Sequence, residues 1–368
     1  IGLPTSIVLA KSGFVVSGID IKKDIVNKLN KGIIHIKEPG LEDLLNEVIK
    51  NKSFRAQSVL KESDIFIIAV PTPLTKNSGN NQLANIKYVL EAAKSISKCI
   101  KAGNLVIIES TSPVGTTEKV LDILCKYSGL RKNQFYLSYC PERVLPGKIF
   151  HEIINNNRII GGINKDSAMK TKEIYSKFCR GQIELTDCKT AELVKLTENA
   201  FRDVNLAFAN ELSIVCNKFD IDVYELIRHA NLHPRVEILQ PGCGVGGHCI
   251  AIDPMFIASS APEITPLIQT ARKVNKYKTN WVINYICKKV LEYEKENLEK
   301  PIVGCFGLTF KPDIDDIRES PALKIVTELS TKGLNIIACE PNLQNNFSFK
   351  LLSAEELLKE ADICVILV

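Results

Sequence analysis

The sequence predicts an α/β fold in which two Rossmann-like, doubly wound domains are joined by a long central helix. Short apolar strands alternate with helices over residues 1–188, a helical region follows over 189–292, and the alternation returns over 293–368. Such alternation is typical of parallel sheets covered by helices on both faces. We therefore predict domains with these bounds, and we expect a further strand ahead of Ile1 and further structure after Val368.

The composition excludes several classes of protein. The net charge of +5 is spread over 368 residues without a long Lys/Arg run, so nucleic-acid binding is not indicated. No apolar run approaches the ~20 residues of a membrane span, and no signal peptide is visible. The twelve cysteines form no CxxC pair, which fits a reducing cytoplasm. Cys243, His248 and Cys249 make only a weak zinc candidate.

The first segment carries half of a dinucleotide-binding fingerprint. Residues 3–11 are predicted to form a helix headed by Gly2, and residues 14–21 a strand that ends near Asp20. A glycine at a helix start, followed ~20 residues later by an acid at a strand end, is typical of this fingerprint. Asp20 would bind the ribose hydroxyls of an adenine nucleotide and favour NAD over NADP. Any βαβ unit can have these two residues, so the half-motif alone is weak.

Polar loops follow three of the next predicted strands. In a doubly wound sheet, ligands bind at the carboxyl ends of the strands, where these loops lie. The alternative is that the loops merely turn the chain. The strands are 64–70, 105–109, 135–139 and 158–162, a helix spans 86–101, and the loops are 71–73, 110–116 and 140–143.

The second half begins with helices and returns to strands. Thr190 is a plausible N-cap for the first helix, and a charged hinge is expected after the third. Helices are predicted at 190–219, 223–230 and 266–291, the hinge at 292–300, strands at 302–308 and 335–340, and a helix up to residue 331 between those strands.

One face of the long helix carries three polar side chains. Lys195, Asn199 and Arg202 are spaced at i, i+4 and i+7, so they share a face. A cation, an amide and a guanidinium in line suit a polyoxyanion or a developing oxyanion. The alternative is a solvated face on which Glu198 pairs with Arg202.

A glycine-rich stretch over residues 239–256 contains Cys249 and, four residues later, Asp253. Its glycines allow close approach of a ligand to the backbone. A thiol at the end of such a loop can attack a carbonyl, and Asp253 is near it in sequence. A tight loop with a buried cysteine is the alternative, because free cysteine is among the most buried residue types.

Taken together, these segments resemble the nucleotide-sugar dehydrogenase family that includes UDP-glucose dehydrogenase. The resemblance runs over essentially the whole chain, and its details are most similar to the UDP-N-acetyl-D-mannosamine dehydrogenase branch. It rests on the spaced motifs GLPT, AVPTP, ESTSPVGTTEK, YCPERVLPGK, RIIGG, ELVKLTENAFRDVNLAFANE, HPRV, GVGGHCIAIDP and GLTFKPDIDDIRESPA.

The resemblance implies a four-electron oxidation. Two NAD⁺ per turnover would oxidise the C6 alcohol of a UDP-sugar to a carboxylate, through a cysteine thiohemiacetal and a thioester that water hydrolyses. The product, UDP-N-acetyl-D-mannosaminuronate, would be a precursor of bacterial surface polysaccharide. This chemistry needs a nucleophile, an acid/base, an oxyanion stabiliser and a base for water.

The resemblance also implies residue roles, cofactor and partners. Cys249 matches the nucleophile, Lys195 the acid/base and Asn199 the oxyanion stabiliser. Asp253 would position Lys195 or water. Glu142 would act in hydrolysis through a water held by Thr111. NAD would contact Gly2, Asp20, Thr72, Thr111 and Arg318. The UDP-sugar would contact Arg143, Val144, Lys195, Asn199, Arg202, His233, Arg235, Gly246, Phe310 and Lys311, with Arg235 reaching the neighbouring site of a homodimer formed through the long helix.

Several alternatives stay open at this point. The nearest alternative is the same chemistry on UDP-GlcNAc, UDP-GalNAc or UDP-glucose. Pro146 stands where UDP-glucose dehydrogenases commonly have a second glutamate, which argues against glucose as the sugar. A two-electron β-hydroxyacid dehydrogenase would need the lysine but not Cys249. A non-catalytic dimeric nucleotide-binding protein would need neither.

Overall fold

The computed structural model describes residues 1–34, 36, 38–76, 82–144, 147–343 and 347–368. The chain divides into two compact units, Ile1–Leu196 and Thr197–Val368. The boundary lies inside one continuous helix, Cys188–Phe219. In the described part of the chain, no helix is long and apolar enough to cross a membrane.

The first unit alternates strands and helices, as predicted. Its elements are α1 (Gly2–Lys11), β1 (Val16–Ile19), α2 (Lys23–Asn30), α3 (Leu41–Lys50), β2 (Phe54–Gln57), β3 (Ile65–Ile68), β4 (Leu74–Lys76), β5 (Gln82–Ala84), α4 (Lys87–Ile96), β6 (Leu105–Ile108), α5 (Thr116–Ser128), β7 (Tyr136–Tyr139), α6 (Ile149–Asn155), β8 (Arg158–Gly162), α7 (Lys165–Tyr175), β9 (Ile183–Asp187) and the start of α8 (Cys188–Phe219).

A five-stranded sheet in the order β3-β6-β7-β8-β9 forms the centre of this unit. Strand β6 explains the doubly wound arrangement, because side chains alternate across a strand. Val106 and Ile108 pack into one apolar cluster with α4 and α5, whereas Leu105 and Ile107 pack into another with α7. Within this sheet, all neighbouring strands are parallel except β7 and β8, which are antiparallel. Strands β1 and β2 form a separate parallel pair.

The second unit completes α8 and returns to a parallel sheet in the order β12-β11-β10-β13. Helices α11 and α12 cover β10, and their apolar side chains form the core of this unit with Val303 and Cys305. Its elements are α9 (Val223–Ala230), α10 (Asp253–Ser260), a 3₁₀ turn (Pro262–Ile264), α11 (Pro266–Asn297), β10 (Ile302–Phe306), α12 (Pro321–Thr331), β11 (Asn335–Cys339), β12 (Lys350–Leu351), α13 (Ala354–Glu360) and β13 (Ile363–Ile366).

Three sequence-based predictions of helix bounds were wrong. Helix α4 ends at Ile96 and not at Lys101. Helix α8 begins at Cys188, and its cap is Asp187, whose carboxylate accepts hydrogen bonds from the backbone and hydroxyl of Thr190 at 2.9 and 2.6 Å; Thr190 is therefore not the N-cap. The predicted hinge at 292–300 is largely helix, because α11 continues to Asn297. Glu292 pairs with lysines one turn earlier, so the charges stabilise the helix there.

Candidate active site

The glycine-rich loop ahead of α10 is shaped by close backbone approach. A Cβ added to Gly246 would lie 2.7 Å from the Glu319 carbonyl oxygen and 2.7 Å from Phe310 Cβ. Gly247 has φ +81°, and its N–H donates to the Arg318 carbonyl at 3.0 Å. The predicted substrate residues Gly246 and Phe310 are therefore in contact, and a side chain at Gly246 would separate them.

Cys249, Asp253 and Asn199 are brought together in the second unit. The Cys249 carbonyl accepts the Asp253 N–H at 2.8 Å, so the cysteine lies one turn ahead of α10. Asp253 is 3% exposed, and its Oδ2 accepts a hydrogen bond from Asn199 Nδ2 at 2.5 Å. The carboxylate thus links the cysteine turn to α8. The sequence predicted these three residues but not the bond between Asn199 and Asp253.

Arg318 lies beside the same loop. Its guanidinium donates to Asp316 Oδ1 and Oδ2 at 2.9 and 2.6 Å and is 3.0 Å from His248 Nδ1. Hydrogen bonds to Asp316 raise the pKa of Arg318, and nearby Cys249 contributes to the same shift.

A buried amide and carboxylate network anchors the other end of the loop. Arg272 Nη1 donates to Asp203 Oδ1 at 2.5 Å, and Asn275 donates to the same oxygen at 2.7 Å. Asn210 donates to Asn275 at 2.9 Å and accepts the Gly242 N–H at 2.9 Å. Burial raises the pKa of Asp203, and the bonds from Arg272 oppose the shift. The loop is therefore tied to both α8 and α11.

In the first unit, the loops after β3 and β6 are bonded together. Thr72 Oγ1 donates to the Thr111 carbonyl at 2.6 Å. Ser110 Oγ accepts the Val70 N–H at 2.8 Å and donates to the Val70 carbonyl at 2.8 Å. Because β3 and β6 are adjacent and parallel, both polar loops lie at one edge of the sheet, as predicted.

The loop after β7 carries Glu142, which is buried. Its Oε2 accepts from Arg158 Nη2 at 3.0 Å, and its Oε1 accepts the Arg143 N–H at 2.9 Å. The Arg143 side chain donates to the Asn157 carbonyl, and Val144 is half-buried. Pro146 lies outside the described residues.

Gly2 and Asp20 occupy positions that fit a dinucleotide. Gly2 opens α1, and a Cβ added there would lie 3.4 Å from Ala69 Cβ, so the helix start passes close to the segment after β3. Asp20 follows β1 and is half-buried, with Oδ1 accepting the Lys22 N–H at 2.8 Å. A backbone approach without a side chain and an acid at the next strand end suit the pyrophosphate and ribose of such a cofactor.

The predicted polar face of α8 is unevenly buried. Lys195 and Asn199 are 9% and 7% exposed, whereas Arg202 is exposed. One turn ahead of Lys195, the buried Glu192 carboxylate accepts hydrogen bonds from Gly115 N–H at 2.6 Å and from Thr117 N–H at 2.7 Å. Burial raises the pKa of Glu192, and these bonds oppose the shift. Glu192 thereby fixes the start of α5 to the helix that carries Lys195.

The remaining predicted substrate residues lie at the surface of the second unit. His233 and Arg235 are exposed, and the Arg235 N–H donates to His233 Nδ1 at 3.3 Å. Lys311 is exposed, with its carbonyl accepting from Thr309 Oγ1 at 2.8 Å. Among the described residues, no group of three His, Cys, Asp or Glu could hold a metal ion.

Sequence reasoning missed the residues that support these side chains. Arg158, Glu192 and Asp203 were not singled out, although each is buried and ionic. A signal was available for Arg158, because an arginine that opens the apolar strand RIIGG must be buried with a partner. A comparable signal for Glu192 was its position among the apolar residues of a long helix.

Three descriptions of one protein family match successive parts of the chain. Residues 1–179 match the "UDP-glucose/GDP-mannose dehydrogenase family, NAD binding domain", residues 189–277 match the central domain of that family, and residues 304–368 match its UDP binding domain. The matches follow the same order as the predicted domains.

Individual proteins are similar over the full length of the chain. The UDP-N-acetyl-D-mannosamine dehydrogenase of Campylobacter jejuni is 47% identical, with 100% of this chain and 92% of that protein covered. The NDP-N-acetyl-D-galactosaminuronic acid dehydrogenase of Ralstonia nicotianae is 43% identical, with 100% and 88% covered. The solved UDP-D-ManNAc dehydrogenase from Pyrococcus horikoshii has a TM-score of 0.92 at 40% identity, with 100% and 86% covered. Sequence and fold are therefore similar to nucleotide-sugar dehydrogenases throughout.

Proposed function

Because this chain belongs to the UDP-glucose/GDP-mannose dehydrogenase family, we propose that it oxidises UDP-N-acetyl-D-mannosamine at C6 to UDP-N-acetyl-D-mannosaminuronate. Two NAD⁺ would be consumed per turnover. The observation that carries the proposal is Cys249 one turn ahead of α10, with Asp253 bonded to Asn199 at 2.5 Å. The full-length identity of 47% to a UDP-N-acetyl-D-mannosamine dehydrogenase supports the choice of sugar.

The proposed chemistry uses the protein side chains in sequence. Lys195 acts as acid/base on the sugar oxygen, and Asn199 stabilises the oxyanion. Cys249 attacks the aldehyde to give a thiohemiacetal and, after the second oxidation, a thioester. Asp253 positions Lys195 or water. Its bond to Asn199 supports this role because it limits where the carboxylate can lie.

Hydrolysis of the thioester needs a base for water. We assign this role to Glu142, acting through a water held by Thr111. A carboxylate oxygen has more than one acceptor site, so the bonds from Arg158 and Arg143 leave capacity for a water.

The residues proposed for the cofactor lie at helix starts, strand ends and loops. NAD⁺, when bound, supplies the hydride acceptor for both oxidations. Gly2 lets the α1 start approach the pyrophosphate, and Asp20 accepts hydrogen bonds from ribose hydroxyls. Thr72 and Thr111 are hydroxyl-bearing residues on two bonded loops, and Arg318 is the proposed cationic contact.

The residues proposed for the UDP-sugar are contributed by several elements. The match of residues 304–368 to a UDP binding domain supports Phe310 and Lys311 as nucleotide contacts. We also propose that residues 1–188 form the cofactor domain, residues 189–292 the central domain and residues 293–368 the UDP-sugar domain. The full proposed set is Arg143, Val144, Lys195, Asn199, Arg202, His233, Arg235, Gly246, Phe310 and Lys311.

We further propose that the protein works as a homodimer formed through α8, with Arg235 reaching the neighbouring site. Phe201, Phe208 and Val215 lie seven residues apart and are 67%, 52% and 43% exposed. An apolar stripe of this spacing suits packing against another helix. Light scattering on Phe208→Glu should give a lower mass than the unsubstituted protein; equal masses would reject the dimer. We also propose a cytoplasmic setting, in keeping with twelve cysteines that form no CxxC pair.

The experiment that tests the function counts NADH per sugar nucleotide consumed. UDP-N-acetyl-D-mannosamine should give two NADH per molecule, and Cys249→Ala should abolish the second oxidation. Cys364→Ala, at an exposed cysteine, is the matched control and should behave as the unsubstituted protein. One NADH per molecule, or full double oxidation by Cys249→Ala, would overturn the proposal.

The same chemistry on an N-acetylgalactosamine nucleotide is the second candidate. It is favoured by the 43% identity to the Ralstonia NDP-N-acetyl-D-galactosaminuronic acid dehydrogenase over all of this chain. Running the assay with UDP-GalNAc, UDP-GlcNAc and UDP-glucose separates the candidates. Two NADH from one of these alone would keep the cysteine mechanism and change the substrate.

A further inference from the structure

A buried group of ionisable side chains lies behind Glu142. It consists of Glu109 at the end of β6, Cys140 and Glu142 after β7, Arg158 at the start of β8, and Tyr175 at the end of α7, and we call it the Arg158 cluster. Each member is at most 5% exposed. Because buried charges are costly unless they are paired, such a group needs an explanation that the proposed chemistry does not give.

Arg158 is bonded to one carboxyl group of the cluster and interacts electrostatically with the other. It is bonded directly to Glu142 at 3.0 Å, and its guanidinium carbon lies 4.7 Å from the centre of the Tyr175 ring. The Tyr175 hydroxyl donates to Glu109 Oε1 at 2.5 Å. Tyrosine therefore connects the second carboxyl group to the cation. One guanidinium charge cannot neutralise both carboxylates.

The cluster also has polar atoms with unused bonding capacity. Among the described residues, Arg158 Nε and Nη1 and Glu109 Oε2 have no hydrogen-bond partner. Arg158 is thus held at one nitrogen by Glu142 and by the Ile153 carbonyl. A change of charge on Glu109 has a direct electrostatic effect on a guanidinium that is not saturated by other bonds.

Glu109 is the member of the cluster that changes charge near neutrality. Burial raises its pKa to about 7, and the charge of Glu142 adds to the shift, while the hydrogen bond from Tyr175 and the charge of Arg158 oppose it. Burial raises the pKa of Cys140 to about 12 and that of Tyr175 well above its usual value, so both keep their protons.

We propose that Arg158 and Glu109 are positioning residues for Glu142. Arg158 orients the Glu142 carboxylate through the ion pair, and the charge on Glu109 determines how strongly Arg158 is shared. When Glu109 is neutral, Arg158 serves Glu142 alone; when Glu109 is charged, it competes for the same cation. The inference rests on the hydrolytic role proposed above for Glu142.

The consequence is a pH dependence of thioester hydrolysis set by a residue that does not touch the substrate. The test compares Glu109→Gln, Tyr175→Phe and Arg158→Lys between pH 6 and 9. It measures kcat, KM for the UDP-sugar, and the Cys249 acyl-enzyme by mass spectrometry after rapid quenching. Glu173→Gln, the same substitution at an exposed position of α7, is the matched control.

Glu109→Gln is expected to remove the inflection near pH 7 from the hydrolysis rate while KM changes by less than about twofold. Arg158→Lys is expected to lower kcat by about 10- to 100-fold with accumulation of the acyl-enzyme, because lysine does not reproduce the guanidinium geometry. Tyr175→Phe should shift the inflection, and Glu173→Gln should leave it unchanged.

Two outcomes would overturn the inference in different ways. An unsubstituted protein that forms two NADH and an acyl-enzyme, with an unchanged pH profile in Glu109→Gln, would reject the cluster and leave the proposed function standing. Full double oxidation by Cys249→Ala would reject both, because no Cys249 thioester would then be needed. Where Arg158→Lys fails to fold, the profiles of Glu109→Gln and Tyr175→Phe decide the question.

Discussion

The two regions that carry the proposed catalytic side chains are stabilised in different ways. In the first unit, the loop with Glu142 is anchored by a buried ion pair to Arg158. In the second unit, the loop with Cys249 depends on glycines, since Gly246 lies where a Cβ would be 2.7 Å from a backbone oxygen. The first arrangement depends on charge and pH, and the second depends on shape.

This difference predicts which kind of substitution each region tolerates. A buried ion pair is sensitive to loss of one partner, because the other charge is left without compensation. A glycine contact is sensitive to the addition of a single carbon, because the neighbouring backbone cannot move aside cheaply. Substitutions that test charge in one region and volume in the other therefore separate the two mechanisms.

The largest effect is expected from Arg158→Met. Removing the cation leaves Glu142 buried and unpaired, so the free energy of unfolding should fall by about 3–5 kcal/mol. Lys101→Met removes a cation from an exposed pair with Glu62, whose side chains are 64% and 65% exposed, and should cost less than about 1 kcal/mol. Urea unfolding measures both; equal losses would show that burial of the pair is unimportant.

The next effect concerns the pH dependence of stability in the charge-dependent region. Because the pKa of Glu109 is raised from 4.5 to about 7 in the fold, the folded state binds more protons than the unfolded state between these values. Stability from this residue is therefore present at low pH and lost as pH rises to about 7, by about 3 kcal/mol at 1.36 kcal/mol per pH unit.

Glu109→Gln removes this titration, so its unfolding free energy should fall less than that of the unsubstituted protein between pH 5.5 and 7.5. Urea unfolding at a series of pH values measures the difference. Glu173→Gln, which is exposed, should follow the unsubstituted protein. Parallel curves for Glu109→Gln and the unsubstituted protein would contradict the raised pKa.

Local pattern predicted much of the fold, but it could not predict the supports of the site. Strand Arg158–Gly162 and helix Val223–Ala230 were predicted to the residue, because short apolar periodicity and flanking turn residues define them. The bond from Asn199 to Asp253 joins residues 54 apart, and that from Thr117 to Glu192 joins residues 75 apart. No periodicity encodes such pairs, since they depend on how the elements pack.

Gly246→Ala tests the shape-dependent region. The new methyl group would meet the Glu319 carbonyl and Phe310 Cβ at 2.7 Å, so the loop must move. A displacement of ~1 Å at a reacting group can cost about 100-fold in rate, and we expect a loss of this size in kcat/KM. Gly242→Ala, whose Cβ would meet only the Gly244 carbonyl within 4 Å, at 3.7 Å, is the control. Similar activity of both variants would reject the role of close approach.

The smallest effect is expected at Asp187, an exposed carboxylate that accepts hydrogen bonds but has no cation bonded to it among the contacts described above. It caps α8 through Thr190, and these bonds lower its pKa. The contribution of its charge is therefore present above the usual aspartate pKa and lost as pH falls below it.

Asp187→Ala should lower the free energy of unfolding by about 0.5–2 kcal/mol, the usual cost of losing an N-cap. Asp187→Asn keeps an acceptor for the Thr190 N–H and should recover most of the loss. Urea unfolding at pH 7 compares the three proteins. Asp187→Ala could instead lower the free energy of unfolding as much as Arg158→Met does. That result would mean that water does not weaken the exposed interaction, and it would contradict the contrast between buried and exposed charge.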